Sequence, residues 1–471
     1  MKPGYDLQTK RVLVVGLART GVAAALFCAK RGAFVTATDQ KTAEELGETA
    51  TTLGASGIAL ELGGHRVRDL AEFDLVVASP GVPANAPLLE EARKVGVPVW
   101  SEIELAWRFL RGKLVAITGS NGKTTTTSLV AHILKRAGIP TLMGGNIGVP
   151  LLSLVDASSD KTVTVAEVSS FQLETIEAFR PEVGVLLNLT PDHLDRHASF
   201  DEYAGAKMRM FENQLVRDAA ILNADDPEVA RRMPSGPRVY WFSRKKRVAV
   251  GAFLLEEAIV FRSDGEEAEL AKRSDIGLRG EHNVENVIAA CAAAYLVGAP
   301  IGSIGAAVRS FPGVEHRLEF VAEVGGVRFY NDSKATNVDA ALKAIEAFPK
   351  GHASGAKGKL IVILGGKDKG APYTPLREPL ADRSSDVLLI GAASEKIAAD
   401  LGKVVPIECA GTLARAVEIA NTRAKSGDVV LLSPACSSFD QFENYEQRGR
   451  VFKELVAKLS PQSAVAPASK G

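Results

Sequence analysis

The sequence predicts an α/β protein of three domains, each a largely parallel sheet flanked by helices, and three observations carry that expectation. Short apolar, β-branched runs alternate with helical stretches along most of the chain, the pattern of strands buried on both faces. Two of those runs, ending at Val15 and Thr118, pass directly into glycine turns and then helices. At 471 residues the chain exceeds one ordinary core, and three is the working number of domains.

The first domain opens with the strand Arg11-Val-Leu-Val-Val, the turn Gly16-Leu-Ala18-Arg19-Thr20-Gly21 and a helix closing near Gly32. A second strand, Phe34 to Thr38, ends on Asp39, so the domain is doubly wound and Rossmann-like. Position 18 is alanine where a dinucleotide fingerprint has its middle glycine, and the methyl group hinders backbone approach to a pyrophosphate. Asp39 lies about twenty residues past the turn, where such folds bind a ribose, so a nucleotide in the crevice stays open. The strand Asp74 to Ser79 meets the loop Pro80-Gly81-Val-Pro83, and a boundary near Arg111-Gly112 closes domain 1–112.

The second domain, 113–314, begins with the most informative stretch of the chain, Leu114-Val-Ala-Ile-Thr-Gly119-Ser-Asn121-Gly122-Lys123-Thr124-Thr125. Strand, glycine turn, lysine and helix start are the parts of a phosphate cradle. Backbone N–H groups point at phosphate oxygens, Lys123 supplies a point charge, and the Thr124 hydroxyl can hold a magnesium ion. The helix adds its positive end. The usual loop has about four residues between its first glycine and Gly-Lys; here only Ser120 and Asn121 separate Gly119 from Gly122. Strands and helices should alternate through about residue 312, with strands Val163 to Val168 and Val183 to Thr190 and helices Thr124 to Ala137 and Asn283 to Leu296.

Gly326-Val-Arg-Phe-Tyr330 starts the strands of the third domain, 315–459, followed by Leu360 to Leu364, Val387 to Ile390 and Val429 to Leu432. Its helices include Val338 to Ala347 and Leu413 to Lys425. Residues 460–471 are small and polar, the composition of a disordered tail.

Composition excludes several classes of function. Lys plus Arg and Asp plus Glu are both 56, so no global positive field favours nucleic acid. No run approaches the roughly twenty apolar residues of a membrane span, and the start has no apolar signal core, which points to a cytoplasmic protein. Cys28, Cys291, Cys409 and Cys436 have no paired-ligand spacing, favouring reduced thiols.

Glu167 ends an otherwise apolar strand, where a lone carboxylate is costly and either a magnesium ion or backbone amides relieve the cost. His193, in Asp192-His193-Leu-Asp195, can ligate a metal, hold a carboxylate or cap a loop. Lys207 reads as a solvated helical lysine. Asn283 and Asn286 share a helical face suited to a flat base or to capping, and Arg317 can meet phosphates or solvent. Three polar loops follow strands of the third domain: Asn331 to Asn337, Gly365 to Gly370 and Ser433 to Asp440. Together they should line one crevice, where Lys369 and serine hydroxyls can bind carboxylates.

These motifs resemble the ATP-dependent Mur ligases of peptidoglycan synthesis, from about Arg11 to Leu455. The resemblance rests on Thr118-Gly-Ser-Asn-Gly-Lys-Thr, Gly144-Gly-Asn-Ile-Gly148, Glu167-Val-Ser-Ser-Phe-Gln-Leu-Glu174, Asp192-His-Leu-Asp195, His282-Asn283, Glu315-His-Arg317, Asn331-Asp-Ser-Lys-Ala-Thr-Asn337 and Leu432-Ser-Pro-Ala-Cys-Ser-Ser-Phe-Asp-Gln441. The last of these and Glu167 to Glu174 are most like the D-glutamate-adding branch. The resemblance implies a Rossmann-like first domain, a P-loop ATPase-like second and a Rossmann-like third. It implies an amide ligase that phosphorylates the carboxylate of UDP-N-acetylmuramoyl-L-alanine with ATP and lets D-glutamate attack, serving cell-wall biogenesis and cell division.

By the same resemblance, Gly119, Asn121, Gly122, Lys123, Thr124 and Thr125 hold the ATP phosphates. Asn283 and Asn286 lie by adenine, Arg317 by the phosphates and Asp332 by the ribose. Thr124 and Glu167 serve one Mg2+; His193 and Lys207 serve a second, with Lys207 converted by CO2 to a carbamate. Thr20, Asp39, Gln40, Lys41, Gly81, Asn146 and Ser169 hold the UDP-sugar, with Ala18 and Arg19 at matching positions. Lys334, Thr336, Lys369, Ser438 and Tyr445 approach D-glutamate or the reacting carboxylate. Ala18, Arg19, Gln40, Lys41 and Tyr445 differ in type from common members. The implied partners are small molecules only, with no nucleic acid and no membrane span, and the chain is expected to be a monomer. The competing readings are a different Mur step, folylpolyglutamate synthase, a nicotinamide-dependent oxidoreductase on the Gly16–Gly21 turn and a GTP-binding protein, the last lacking an Asn-Lys-x-Asp signature.

Overall fold

The computed structural model describes residues 5–65, 69–193, 196–349, 358–384 and 386–459. The expected tail at 460–471 lies outside the described residues. The chain forms two compact units, one of residues 1–277 and 282–311, the other of 278–281 and 312–471.

The first unit holds two sheets. Strands β1 (Arg11–Val15), β2 (Phe34–Asp39), β3 (Ala59–Leu62), β4 (Leu75–Ala78) and β5 (Val99–Ser101) form a parallel sheet of order β3-β2-β1-β4-β5. β1 and β4 are apolar and almost wholly buried, as central parallel strands must be when helices cover both faces. The order reverses at β1, so the Gly16 turn and the Pro80 loop leave neighbouring strands on one edge.

The second sheet comprises β6 (Lys113–Thr118), β7 (Thr141–Gly145), β8 (Val163–Glu167), β9 (Val183–Leu186), β10 (Ala219–Asn223), β11 (Arg238–Ser243), β12 (Gly251–Leu255), β13 (Ala258–Ser263) and β14 (Glu266–Lys272). Its order is β14-β13-β12-β11-β10-β9-β6-β8-β7. The expected alternation of strand and helix fails after β11: β12, β13 and β14 form an antiparallel ribbon. Its two-residue turns put Glu256 and Asp264 at positive φ, the conformation that matches hairpin twist, and Asp264-Gly265 was its sequence signal. β9 stops at Leu186, short of Thr190, because Asn188 O and Thr190 N bond to Ser120 of the glycine loop and Leu189 N to the Asp226 carboxylate instead.

In the second unit, β15 (Glu319–Val324), β16 (Val327–Asn331), β17 (Leu360–Gly365), β18 (Asp386–Ile390), β19 (Ile407–Gly411) and β20 (Val429–Leu432) run in order β15-β16-β20-β17-β18-β19. All pairs are parallel except β15 with β16, so the sheet starts one strand earlier than Gly326. Gly325 and Gly326 supply the turn at φ 58 and 79. Apolar clusters cover both faces of this sheet.

Within the first unit, the helix Glu102–Phe109 docks the first sheet on the second. Glu104 is 0% exposed and its Oε2 accepts from the backbone N–H groups of Glu177 (3.0 Å), Ala178 (3.0 Å) and Phe179 (2.7 Å). Its other oxygen accepts from Arg108 Nε at 2.8 Å, and that guanidinium lies 3.9 Å over the Trp100 ring. Trp107 Nε1 donates to Arg180 O at 2.8 Å. A buried carboxylate satisfied in this way stabilises the fold, whereas its removal leaves three amides without this acceptor and Arg108 with only the longer contact to Glu177 at 3.5 Å. Glu104→Ala should therefore destabilise the first unit by about 3 kcal/mol, read as a lower urea midpoint by tryptophan fluorescence; an unchanged midpoint would show that the carboxylate is not what docks the helix.

Candidate active site

Burial and hydrogen bonding shape the phosphate cradle before any ligand arrives. Gly122 caps the helix Lys123–Arg136 at φ 85, and a Cβ there would meet Asn286 Oδ1 at 2.2 Å, so only glycine fits. Asn121 N donates to Asn188 Oδ1 (2.8 Å), and Asn188 Nδ2 returns a bond to Asn121 O (3.1 Å). Ser120 Oγ meets Thr190 O and the Tyr203 hydroxyl, each at 2.9 Å. The loop is thus fixed from behind by residues 188–190 and Tyr203, while Lys123 Nζ folds onto Gly119 O (2.8 Å) and Ser120 O (2.9 Å).

The expected magnesium ligands Thr124 and Glu167 stand together: Thr124 Oγ1 donates to Glu167 Oε2 at 2.8 Å. Asn146 Nδ2 donates to Glu167 Oε1 at 3.0 Å. Glu167 is 2% exposed and both of these hydrogen-bond partners are neutral, while the nearby Lys207 amine interacts with it electrostatically. A hard, oxygen-preferring cation fits that donor set.

The bland reading of Lys207 is wrong. It is buried, its Nζ donates to Gly119 O at 3.1 Å and lies 4.6 Å over the Tyr203 ring. Burial, reinforced by the Lys123 charge, pushes its pKa well below the ordinary lysine value, favouring the neutral amine. His193 sits at φ 53 with its side chain half-exposed, its ring 4.9 Å from Phe171 and 6.4 Å from Tyr203. Tyr203 is therefore the neighbour that His193 and Lys207 share. Asn283 and Asn286 are buried against the loop glycine, with Asn286 Nδ2 donating to Asn283 Oδ1 at 3.0 Å.

A cavity of about 330 Å³ lies beside this cradle, lined by Ala18, Arg19, Thr20, Pro80, Gly81, Gly145, Asn146, Gly148, Pro150 and Gln172. It brings together Thr20, Gly81 and Asn146 of the expected sugar-nucleotide set. Asp39, Gln40 and Lys41 are not among its lining residues; the Asp39 carboxylate accepts from Leu17 N (2.6 Å) and Lys41 N (2.9 Å), holding the glycine turn. Ser169 is committed to a capping box with Gln172. Asn146 alone of these residues touches both the cavity and Glu167.

In the second unit the three polar loops do converge. Arg448, 0% exposed and unnoticed in the sequence, donates to Ser333 Oγ (3.0 Å), Ser333 O (2.9 Å), Cys436 O (3.2 Å) and Ser437 O (3.4 Å). Burial lowers its pKa to about 10. Lys367 N and Ser437 O bond at 2.9 Å, adding the third loop. Lys369 Nζ reaches Thr336 Oγ1 at 3.4 Å, Lys334 Nζ lies 5.9 Å over the Tyr445 ring, and Ser438 is buried. Asp332 accepts from Leu318 N and Ser433 Oγ, both at 3.0 Å; burial raises its pKa to about 7, opposed by the Arg317 charge. Glu315, His316 and Glu319 form a metal-like cluster, but Lys453 Nζ bonds both carboxylates, at 2.9 and 2.8 Å.

Sequence reasoning missed Asn188, Tyr203, Arg196 and Arg448, which touch the candidate ligands only through other residues. The nearest signals were the Asp192–Asp195 motif, one residue short of Arg196, and Tyr445, three before Arg448.

Family models agree with the geometry. One described as Mur ligase MurD-like, N-terminal domain matches residues 10–101, the Mur ligase middle domain matches 117–294, and the Mur ligase, glutamate ligase domain matches 316–436. The UDP-N-acetylmuramoylalanine--D-glutamate ligase of Acidobacterium capsulatum is 55% identical over 454 residues, covering 96% of this chain and 97% of that protein. The protein of the same name from Koribacter versatilis is 52% identical over 460 residues, covering 97% and 99%. Among solved structures, UDP-N-acetylmuramate-alanine ligase MurC of Thermotoga maritima gives a TM-score of 0.58 at 19% identity over 95% of this chain and 99% of that one. MurF ligase of the same organism, in complex with ADP, gives 0.58 at 18% identity over 96% and 99%. These structural likenesses carry the fold; with three domain models matched in order and more than half of all residues shared along nearly the whole length, the chain belongs to the Mur ligase family.

Proposed function

We propose that the chain is an ATP-dependent ligase that adds D-glutamate to UDP-N-acetylmuramoyl-L-alanine in the cytoplasm, as a step of peptidoglycan precursor synthesis. The observation that carries this reading is the meeting of Lys123, Thr124, Glu167 and Lys207 around one short glycine loop, with a separate cavity opening beside Asn146. The names of the whole-length relatives supply the substrates. No helix among the described residues is long and apolar enough to cross a membrane, which suits soluble small-molecule substrates. The monomeric state and the domain limits 1–112, 113–314 and 315–459 belong to the same proposal.

In this mechanism the glycine loop and helix start hold the triphosphate, and Lys123 swings from the loop carbonyls to the β and γ phosphates. Thr124 and Glu167 would hold one Mg2+, and His193 with Lys207 would hold a second. Bound there, magnesium neutralises phosphate charge and lowers the cost of bringing two anions together. The acceptor carboxylate takes the γ-phosphoryl group and ADP leaves. The D-glutamate amine attacks the acyl phosphate, and the tetrahedral intermediate collapses to amide and phosphate. Phosphoryl transfer of this kind needs charge neutralisation and alignment rather than a nucleophilic side chain. Arg317, Asn283, Asn286 and Asp332 attend the nucleotide; Lys334, Thr336, Lys369, Ser438 and Tyr445 attend D-glutamate.

Lys207 joins a cation site through its neutral amine, which adds to CO2 to give a carbamate and releases one proton. The lowered pKa of the buried amine supports this, because only the unprotonated form has the lone pair that attacks.

Two measurements test the reading. Lys123→Ala should lower ATP-dependent phosphate release by at least about 100-fold without unfolding the chain, while mass analysis of the wild-type product shows one labelled D-glutamate per acceptor and none from L-glutamate; near-normal turnover in the variant counts decisively against it. In CO2-free buffer wild-type turnover should fall and recover on adding bicarbonate, more readily toward alkaline pH where the amine is unprotonated, whereas Lys207→Arg stays inactive in both; indifference to CO2 removes the carbamate.

A further inference from the structure

The wall of the acceptor cavity formed by Pro80 and Gly81 is not held by its own domain alone. Arg196, from the segment after His193, donates to three successive carbonyls of that loop: Pro80 O (3.2 Å), Gly81 O (3.4 Å) and Val82 O (2.8 Å). The same guanidinium lies 3.4 Å from Glu174 Oε2 and 4.5 Å over the Phe171 ring, with its side chain only 17% exposed. Phe171 also receives the edge of the His193 ring at 4.9 Å and stacks on His197 at 5.6 Å. Arg196 N donates to His193 O at 3.0 Å, so the two residues share one turn.

This arrangement is specific to a guanidinium. A planar fork of several N–H donors can satisfy three carbonyls, face a carboxylate and lie on an aromatic ring at once, whereas an ammonium is a compact point charge. The grip also meets a need at each end. Pro80–Val82 leaves the carboxyl edge of the first sheet as irregular backbone whose carbonyls have few other donors. His193 occupies a left-handed backbone position that a histidine holds only when its surroundings impose it.

We propose that Arg196 is a positioning residue that sets the acceptor seat and the orientation of His193 together. The proposal rests on the acceptor and magnesium reading given above. Loss of the fork frees the Pro80–Val82 wall, which weakens acceptor binding. It also removes the cation from the Phe171 face, which loosens the ring that steadies His193 and weakens the magnesium binding served by that histidine.

The test compares wild type with Arg196→Met, which keeps the apolar stem over Phe171, and with Arg196→Lys, which restores one charge without the fork. Calorimetric titration of UDP-N-acetylmuramoyl-L-alanine is paired with steady-state kinetics. The methionine variant should bind the acceptor about tenfold or more weakly and need several-fold more magnesium for half-maximal rate, with KM for D-glutamate unchanged. The lysine variant should recover only part of both losses. Acceptor binding and magnesium dependence equal to wild type in both variants overturn the role of Arg196 and leave the acceptor reading standing. Equal rises in all three KM values, in step with a lower melting temperature, mark general destabilisation and also overturn it. Wild type that fails to bind the acceptor overturns the parent reading. If the methionine variant does not fold, the lysine variant decides by the same comparison.

Discussion

The sheet β6–β14 is organised around a buried carboxylate whose hydrogen bonds come from neutral groups. Glu167 closes β8 inside the protein, and its named bonds come from a hydroxyl and an amide. Lys207 interacts with it electrostatically and is itself a buried amine whose charged form is disfavoured. The burial that disfavours the charged amine favours the neutral form, which is the form the proposed carbamate needs. Preorganisation of this sort stabilises transferring charge without moving the protein when the reaction occurs.

The rigid backing makes that preference usable. Asn188 bonds both ways to Asn121, and Ser120 is tied to Thr190 and Tyr203, so the glycine loop is held from behind. The first sheet is fixed to the same body through Glu104 and the two tryptophan donors. The cavity beside Asn146 therefore has walls from two sheets and still a defined shape.

The strands, the doubly wound start and the glycine loop were legible because period and turn chemistry act locally. Thr124 and Glu167 were legible because a carboxylate at the end of an apolar strand is anomalous by itself. Lys207 was not, since its helix, Phe200–Met208, looks unremarkable until tertiary packing buries one side of it, and only the family resemblance singled it out. The antiparallel ribbon β12–β14 was lost for another reason: β12 and β13 are short and largely apolar, like buried parallel strands, and the two-residue turns betray their direction. Asp39, singled out by its spacing for a ribose, also accepts from Leu17 N of the glycine turn and from Lys41 N, a structural role its spacing did not announce.

Arg448 leads to a last point about how recognition can change. A single interior guanidinium is shared among the loop after β16, the loop after β20 and, through Lys367 and Ser437, the loop after β17. Segments tethered to one common donor cannot drift independently, because a shift in any of them alters the bonds available to the rest. Divergence toward a new amino acid would then proceed by concerted replacement of the whole trio, and grafting one of them between relatives would carry the wrong anchor points with it.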